Sequence, residues 1–125
     1  MERFELWIPG RPIPKPQKFT RKSHPQWAWR DKIGWKVKAA IGGSLRLEES
    51  VALGMQFYIN RHGKRKPPDF KNLWACVEDG LTGILYEDDV YVDRVICPSG
   101  RTIIDRRSNQ AQGVNLIIEF EEGLR

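Results

Sequence analysis

The sequence predicts a single α/β domain in which a mixed β-sheet is packed with helices. Three observations lead there. Segments of period-2 alternation stand near the beginning, the middle and the end of the chain, segments with an apolar stripe at helical spacing lie between them, and 125 residues leave room for one domain. A composition that is 40% hydrophobic and 30% charged is enough for one core and too apolar for a wholly disordered chain. The domain is expected to span 1–125, with a mobile basic loop over 11–25.

Phe4, Leu6 and Ile8 alternate with Glu5 and Trp7, which predicts a first strand with one buried face, ended by Pro9-Gly10. Residues 11–25 hold Pro12, Pro14, Pro16 and Pro25 among basic residues, which predicts an extended loop. Trp29, Ile33, Val37 and Ile41 recur every four residues and predict a helix over 26–41, stopped at Gly42-Gly43. Trp27 and Trp35 lie around the rest of that helix among Arg30, Lys32, Lys36 and Lys38. Both core packing and stacking on nucleic-acid bases are open to them. Val51, Leu53, Met55, Phe57 and Ile59 predict a second strand, followed by a basic loop over 61–68. Phe70, Leu73, Trp74, Val77 and Leu81 form one helical face with Asp69 at the N-cap position. A third strand is expected to open at Asp88-Asp89 and to alternate through Val90, Val92 and Ile96. Thr102 to Ile104 is expected to return as a short strand, and Val114, Leu116, Ile118 and Phe120 form the last one.

Charge is distributed unevenly. The chain has 21 Lys+Arg against 16 Asp+Glu, a net +5. Arg11, Lys15, Lys18, Arg21, Lys22, Arg30, Lys32, Lys36 and Lys38 face Asp31 alone, and Arg61, Lys64, Arg65, Lys66 and Lys71 face only Asp69. Between Glu78 and Asp93 the sign reverses, with Glu78, Asp79, Glu87, Asp88, Asp89 and Asp93 and no base. Two basic segments around an acidic one suit a cation-binding pocket rimmed by phosphate-binding side chains. A solvated surface also carries charge in blocks. Hard cations such as Mg²⁺ take carboxylate oxygens and water, so Asp69, Asp88 and Asp89 are the candidate ligands. An N-cap for Asp69 and a turn for Asp88-Asp89 are the plainer alternatives.

Other classes are disfavoured. No apolar stretch approaches the ~18 residues of a bilayer span, and the N-terminus lacks a signal-peptide apolar region, so a cytoplasmic protein with no membrane partner is expected. Cys76 and Cys97 are too few for a disulfide framework or a four-cysteine zinc site, and His24 and His62 add little.

The opening L-W-I-P-G-R-P-I-P-K, the F-T-R-K that follows, and above all P-P-D-F-K-N-L and Y-E-D-D-V-Y-V resemble the RusA-type Holliday-junction resolvases, in order and spacing, up to about Val95. That family places an Asp-x-Asp-Asn-Leu motif at a helix start and a hydrophobic-x-Asp-Asp motif about one helix later. The resemblance implies a RusA-like fold and a Mg²⁺-dependent endodeoxyribonuclease, homodimeric and often carried by prophages, that nicks four-way DNA junctions in recombination and repair. Asp69 matches the first motif aspartate, Asn72 its asparagine, Asp89 the catalytic aspartate of the second motif with Asp88 its neighbour, and Asp79 a carboxylate often seen later in the helix. Two positions depart: Lys71 stands where the family has its second aspartate, and Ala75 where it has an active-site lysine.

The function expected is therefore resolution of four-way junctions. Asp69, Asp88 and Asp89 are the expected metal ligands, water bound to Mg²⁺ at Asp69 and Asp89 would attack the phosphate, and Lys71 or a cation of the 61–66 loop would offset the charge that develops. Lys15, Lys18, Arg21, Lys22, Arg61, Lys64, Arg65 and Lys66 are the expected DNA contacts. Lys71 is expected to bridge to Asp69, Asp88 or Asp89. A branched-DNA binding module with the same fold and a decayed metal site is the alternative.

Overall fold

The computed structural model describes residues 1–16, 18, 20–60, 68–97, 103–106 and 110–121. Five strands and two helices follow in the order β1 (Glu2–Pro9), α1 (Pro25–Ile41), β2 (Val51–Tyr58), α2 (Phe70–Leu81), a short 3₁₀ helix (Asp89–Tyr91), β3 (Val92–Val95), β4 (Ile104–Asp105) and β5 (Gly113–Phe120). They form one small domain with a mixed five-stranded sheet.

The sheet path is β1-β5-β2-β3, and β4 also pairs with β2. The last strand is thus the inner one: β5 lies antiparallel to both β1 and β2, with Leu116 opposite Leu6 on one side and Met55 on the other. β3 and β4 run parallel to β2, so α2 is the crossover of a β-α-β unit. Val51 pairs with Val92, which sets the beginnings of β2 and β3 side by side.

The core lies between the sheet and the two helices. Ile8, Leu53, Phe57, Leu116, Ile118 and Phe120 meet Ile33, Val37, Leu73, Val77 and Leu81 there, all fully buried. The opposite face of β2 is covered as well, since Ala52 and Gln56 are buried. At Gly54 an added Cβ would stand 2.7 Å from the Ile96 carbonyl oxygen, so this strand accepts only a small residue where the chain after β3 crosses it. The helices also approach closely. A Cβ on Gly80 would lie 2.8 Å from the Arg30 carbonyl oxygen, and one on Gly34 would lie 3.1 Å from the Gly80 oxygen.

Two local expectations change. Asp88 and Asp89 do not open a strand: the Asp88 side chain caps a 3₁₀ turn by accepting the Val90 N–H at 3.0 Å, and β3 begins only at Val92. Among the described residues the short return strand is Ile104–Asp105, which pairs with the end of β2; Thr102 lies outside them. In the first part of the basic loop Pro12 is buried and Ile13 packs against the core. Among the described residues, no helix is long and apolar enough to cross a membrane.

Candidate functional site

α2 organises the acidic residues. Asp69 has extended backbone and accepts the Lys71 backbone N–H at 2.7 Å, while its carbonyl accepts the Leu73 N–H at 3.1 Å. It is the N-cap that its position predicts, satisfying one of the helix's free donors. Near the other end of the helix, Tyr86 ties the following turn back: its hydroxyl donates to the Glu78 carbonyl at 2.8 Å, and its ring is fully buried. That anchor returns the chain toward Glu78 and Asp79 immediately before Asp88 and Asp89.

The result is a group of interacting carboxylates. The Asp89 carboxyl is held above its usual range by partial desolvation, then by a hydrogen bond with Asp88 and repulsion from Asp88 and Asp79; Lys15 opposes the shift. Glu78 is raised too, first by burial and then by repulsion from Asp89 and Asp79, while a hydrogen bond from Trp74 and the charge of Lys15 pull it down. Beside them Cys76 is fully buried, and its thiol is pushed up to about 11, chiefly by desolvation. A thiol so protonated is no nucleophile, which assigns Cys76 to the core.

Lys15 is the cation of this group. Its Nζ lies 2.9 Å from Asp79 Oδ2, and its backbone N–H donates to the Asn72 carbonyl at 2.8 Å. The chain before α1 is thereby tied to α2 by one backbone bond and one ion pair. Sequence reasoning placed Lys15 among the DNA contacts and did not foresee this pairing. The only signal was a lone lysine flanked by Pro14 and Pro16, whose stiff backbone suits a side chain held in one direction.

The remaining expected site residues fall into three sets. Lys71 is exposed and forms no ion pair with Asp69, Asp88 or Asp89. Its side chain instead borders an apolar groove of about 310 Å³ formed with Phe70, Trp74, Val95 and Ile103. The expected Lys71 bridge is thus corrected: at the second position of α2, Lys71 projects to the flank where Phe70 and Trp74 show. Lys18, Arg21 and Lys22 are exposed. Arg61, Lys64, Arg65 and Lys66 lie outside the described residues. Among the described residues, no three carboxylate, cysteine or histidine side chains gather where one metal ion would touch them all.

No curated protein matches the chain. The family model of endodeoxyribonuclease RusA matches residues 9–119, from the last residue of β1 into β5. Nucleases of that family resolve Holliday junctions in DNA recombination and repair and generally depend on a divalent metal. The matched span takes in both helices, Lys15 and every carboxylate of the acidic group, and the chain belongs to the RusA endodeoxyribonuclease family.

Proposed function

We propose that this chain is a structure-selective endodeoxyribonuclease that uses Mg²⁺ to cut four-way DNA junctions, as a cytoplasmic homodimer. The observation that carries the reading is the negative charge gathered around Asp89: Asp88 and Asp79 repel it, Asp89 and Asp79 repel Glu78, and among the described residues Lys15 is the cation that opposes both shifts.

That charge and its oxygen donors suit a hard divalent cation, which prefers carboxylate oxygens and keeps several waters. Asp88 and Asp89 are the residues to hold it; Asp69, the third ligand that the family resemblance implies, caps the N-terminal end of α2. When bound, the cation lowers the pKa of a water and offsets charge on a phosphoryl oxygen. The protein's own parts are then distinct. The Tyr86 anchor and the 3₁₀ turn hold Asp88 and Asp89 at the mouth of β3. Lys15, kept in place by Asp79 and the Asn72 carbonyl, supplies the cation that the family's lysine would give at Ala75, a role the sequence alone assigned to Lys71. Lys18, Arg21, Lys22 and the basic residues of 61–66 meet phosphates, which fixes register without reading sequence. The apolar groove beside Lys71, with Val95 64% exposed next to it, supports a homodimer contact at the β3 edge.

The second reading is a branched-DNA binding module without cleavage. It draws on Lys71 at a position where the family has a carboxylate, and on the lack of three gathered ligands among the described residues. One assay separates the two readings. A synthetic four-way junction with Mg²⁺ should be nicked by the protein, leaving 5′-phosphate and 3′-hydroxyl ends, and Asp89→Asn should abolish nicking while leaving the gel shift within about twofold. Salt-sensitive junction binding with no nick at any Mg²⁺ concentration would establish the module. Binding that ignores salt would sink both readings.

A further inference from the structure

The tryptophans of α1 have different environments. Trp29 is buried in the core, whereas Trp35 is 69% exposed and Trp27 half-buried. Each of the latter two carries a cation on its ring: Arg30 Cζ stands 4.5 Å from the Trp27 ring centre, and Lys38 Nζ stands 5.4 Å from that of Trp35. Between them α1 and the end of α2 enclose an open cleft of about 370 Å³, bordered by Trp27, Arg30, Asp31, Trp35, Lys38 and Asp79. Its floor is the close helix crossing, where a Cβ on Gly34 would stand 2.6 Å from Ile84 Cδ1 and one on Gly80 would stand 2.8 Å from the Arg30 carbonyl oxygen. The volume is in the range of ligand sites.

An exposed indole on a basic helix is costly to leave in water and is explained by what covers it. The wall residue Asp79 is the same side chain that holds Lys15 in the acidic group. Through Asp79 the cleft adjoins the acidic group, so a strand whose phosphate lay at Asp88 and Asp89 would have it beside its neighbouring nucleotides. Aromatic faces flanked by cations suit that occupant, because every base has a face to stack and every nucleotide a phosphate to neutralise. A second copy of the chain fits poorly, since α1 stays net basic after Asp31 is set against Arg30, Lys32, Lys36 and Lys38, and two such helices repel each other.

We propose that the Trp27–Trp35 cleft is a stacking site for unpaired bases of the DNA strand adjoining the acidic group, with Trp35 as its principal platform. The assignment rests on the nuclease reading above, since it takes its ligand from the strand that this reading places at the acidic group. In a duplex the bases are already stacked on one another, so the site selects DNA whose bases are unstacked, as at a branch point.

The test measures fluorescence anisotropy of a short labelled oligothymidylate, a duplex of the same length and a four-way junction against the intact protein. Trp35→Ala should weaken oligothymidylate binding by about 10-fold, with Trp35→Phe retaining most of it, and should leave duplex binding within about twofold. A circular-dichroism melt confirms that the exposed substitution leaves the fold unchanged. Equal losses on oligothymidylate and duplex, or no loss on either, would overturn the stacking site. So would sedimentation showing that Trp35→Ala turns a DNA-free dimer into monomer, which would make the cleft a self-association surface. If wild-type protein binds the junction no better than duplex, the nuclease reading fails instead; Trp35-dependent binding of oligothymidylate would then leave the stacking site standing alone.

Discussion

At its N-terminal end α2 begins with Asp69, whose carboxylate accepts the Lys71 N–H, and with a Lys71 side chain that turns to an apolar groove. Toward its C-terminal end Glu78 and Asp79 stand with Asp89 and Lys15 in one electrostatic group. Twelve helical residues, about 18 Å of rise, separate the ends. At the first end the carboxylate is answered by the helix's own free N–H group, a local need met in every helix. At the second end the carboxylates face one another, an arrangement that costs energy and is answered only in part. Chemistry concentrates where the protein leaves charge unanswered, which is why the C-terminal group marks the candidate site more firmly than the motif that opens the helix.

The largest effect expected from this contrast lies with the two lysines. Lys15→Met should reduce junction nicking by about 10²-fold, the order seen when one charge-stabilising donor is removed. Lys71→Met should change it less than about threefold. Single-turnover cleavage of a labelled junction checks both. A larger loss for Lys71→Met than for Lys15→Met would move the centre back to the N-terminal end and dissolve the comparison.

Next is the scaffold of the C-terminal end. Gly80→Ala places a methyl 2.8 Å from the Arg30 carbonyl oxygen and 3.3 Å from Ile33 Cβ, both rigid helix atoms. The helices must part, and overpacking of this kind costs about 1–3 kcal/mol. Urea unfolding measures it. A stability within 0.5 kcal/mol of wild type, a threshold set by the usual effect of surface substitutions, would mean that α1 and α2 are not held at this crossing.

Much of this architecture was legible in the sequence. Period-2 runs located β1, β2 and β5, a four-residue stripe located α1, and the apolar face after Asp69 located the start of α2, because each of these signals is local. What was hidden depends on tertiary contact. The Val90 and Val92 alternation read as strand, yet Asp88 captures the Val90 N–H and makes a 3₁₀ turn first, a competition that Asp side chains often win at element starts. Spacing paired Lys71 with Asp69 because they are neighbours in the chain. It gave no hint that Lys15, from the segment before α1, reaches Asp79 across the fold. The tryptophans of α1 likewise needed the structure to be sorted, since Trp29 and Trp35 differ in burial but not in residue type.

A smaller effect is expected at the helix cap. Asp69→Ala should cost about 1 kcal/mol, the usual value for an N-cap, whereas Asp69→Asn, which keeps the acceptor, should cost only a few tenths. Thermal melts of the two variants check the difference. If Asn proves as costly as Ala, the negative charge of Asp69 matters beyond the cap. If Asp69→Asn melts like wild type but no longer nicks, Asp69 serves the reaction as well as the helix, and the two ends of α2 work together.

The smallest effect concerns the uncompensated charge itself. Asp89 and Glu78 hold their protons more tightly in the folded protein than in the unfolded chain. A carboxyl whose folded pKa is raised contributes stability that is fully present below its unfolded pKa, about 4, and that is lost as pH rises through the folded value. At neutral pH the ionised cluster is therefore a cost, and a neutral isostere relieves it. Asp89→Asn should melt about 1–3 °C above wild type at pH 7 without metal, a modest gain because Asp89 is exposed and its interactions are screened. The gain should shrink as pH falls and vanish below about pH 4, where the wild-type carboxyl is itself neutral. Added salt should shrink it as well. Calorimetric melts of the two proteins between pH 4 and 8 provide the measurement. An Asp89→Asn variant that is less stable than wild type at pH 7 would show that Lys15 already balances the group, and the charge that invites a cation would not be there.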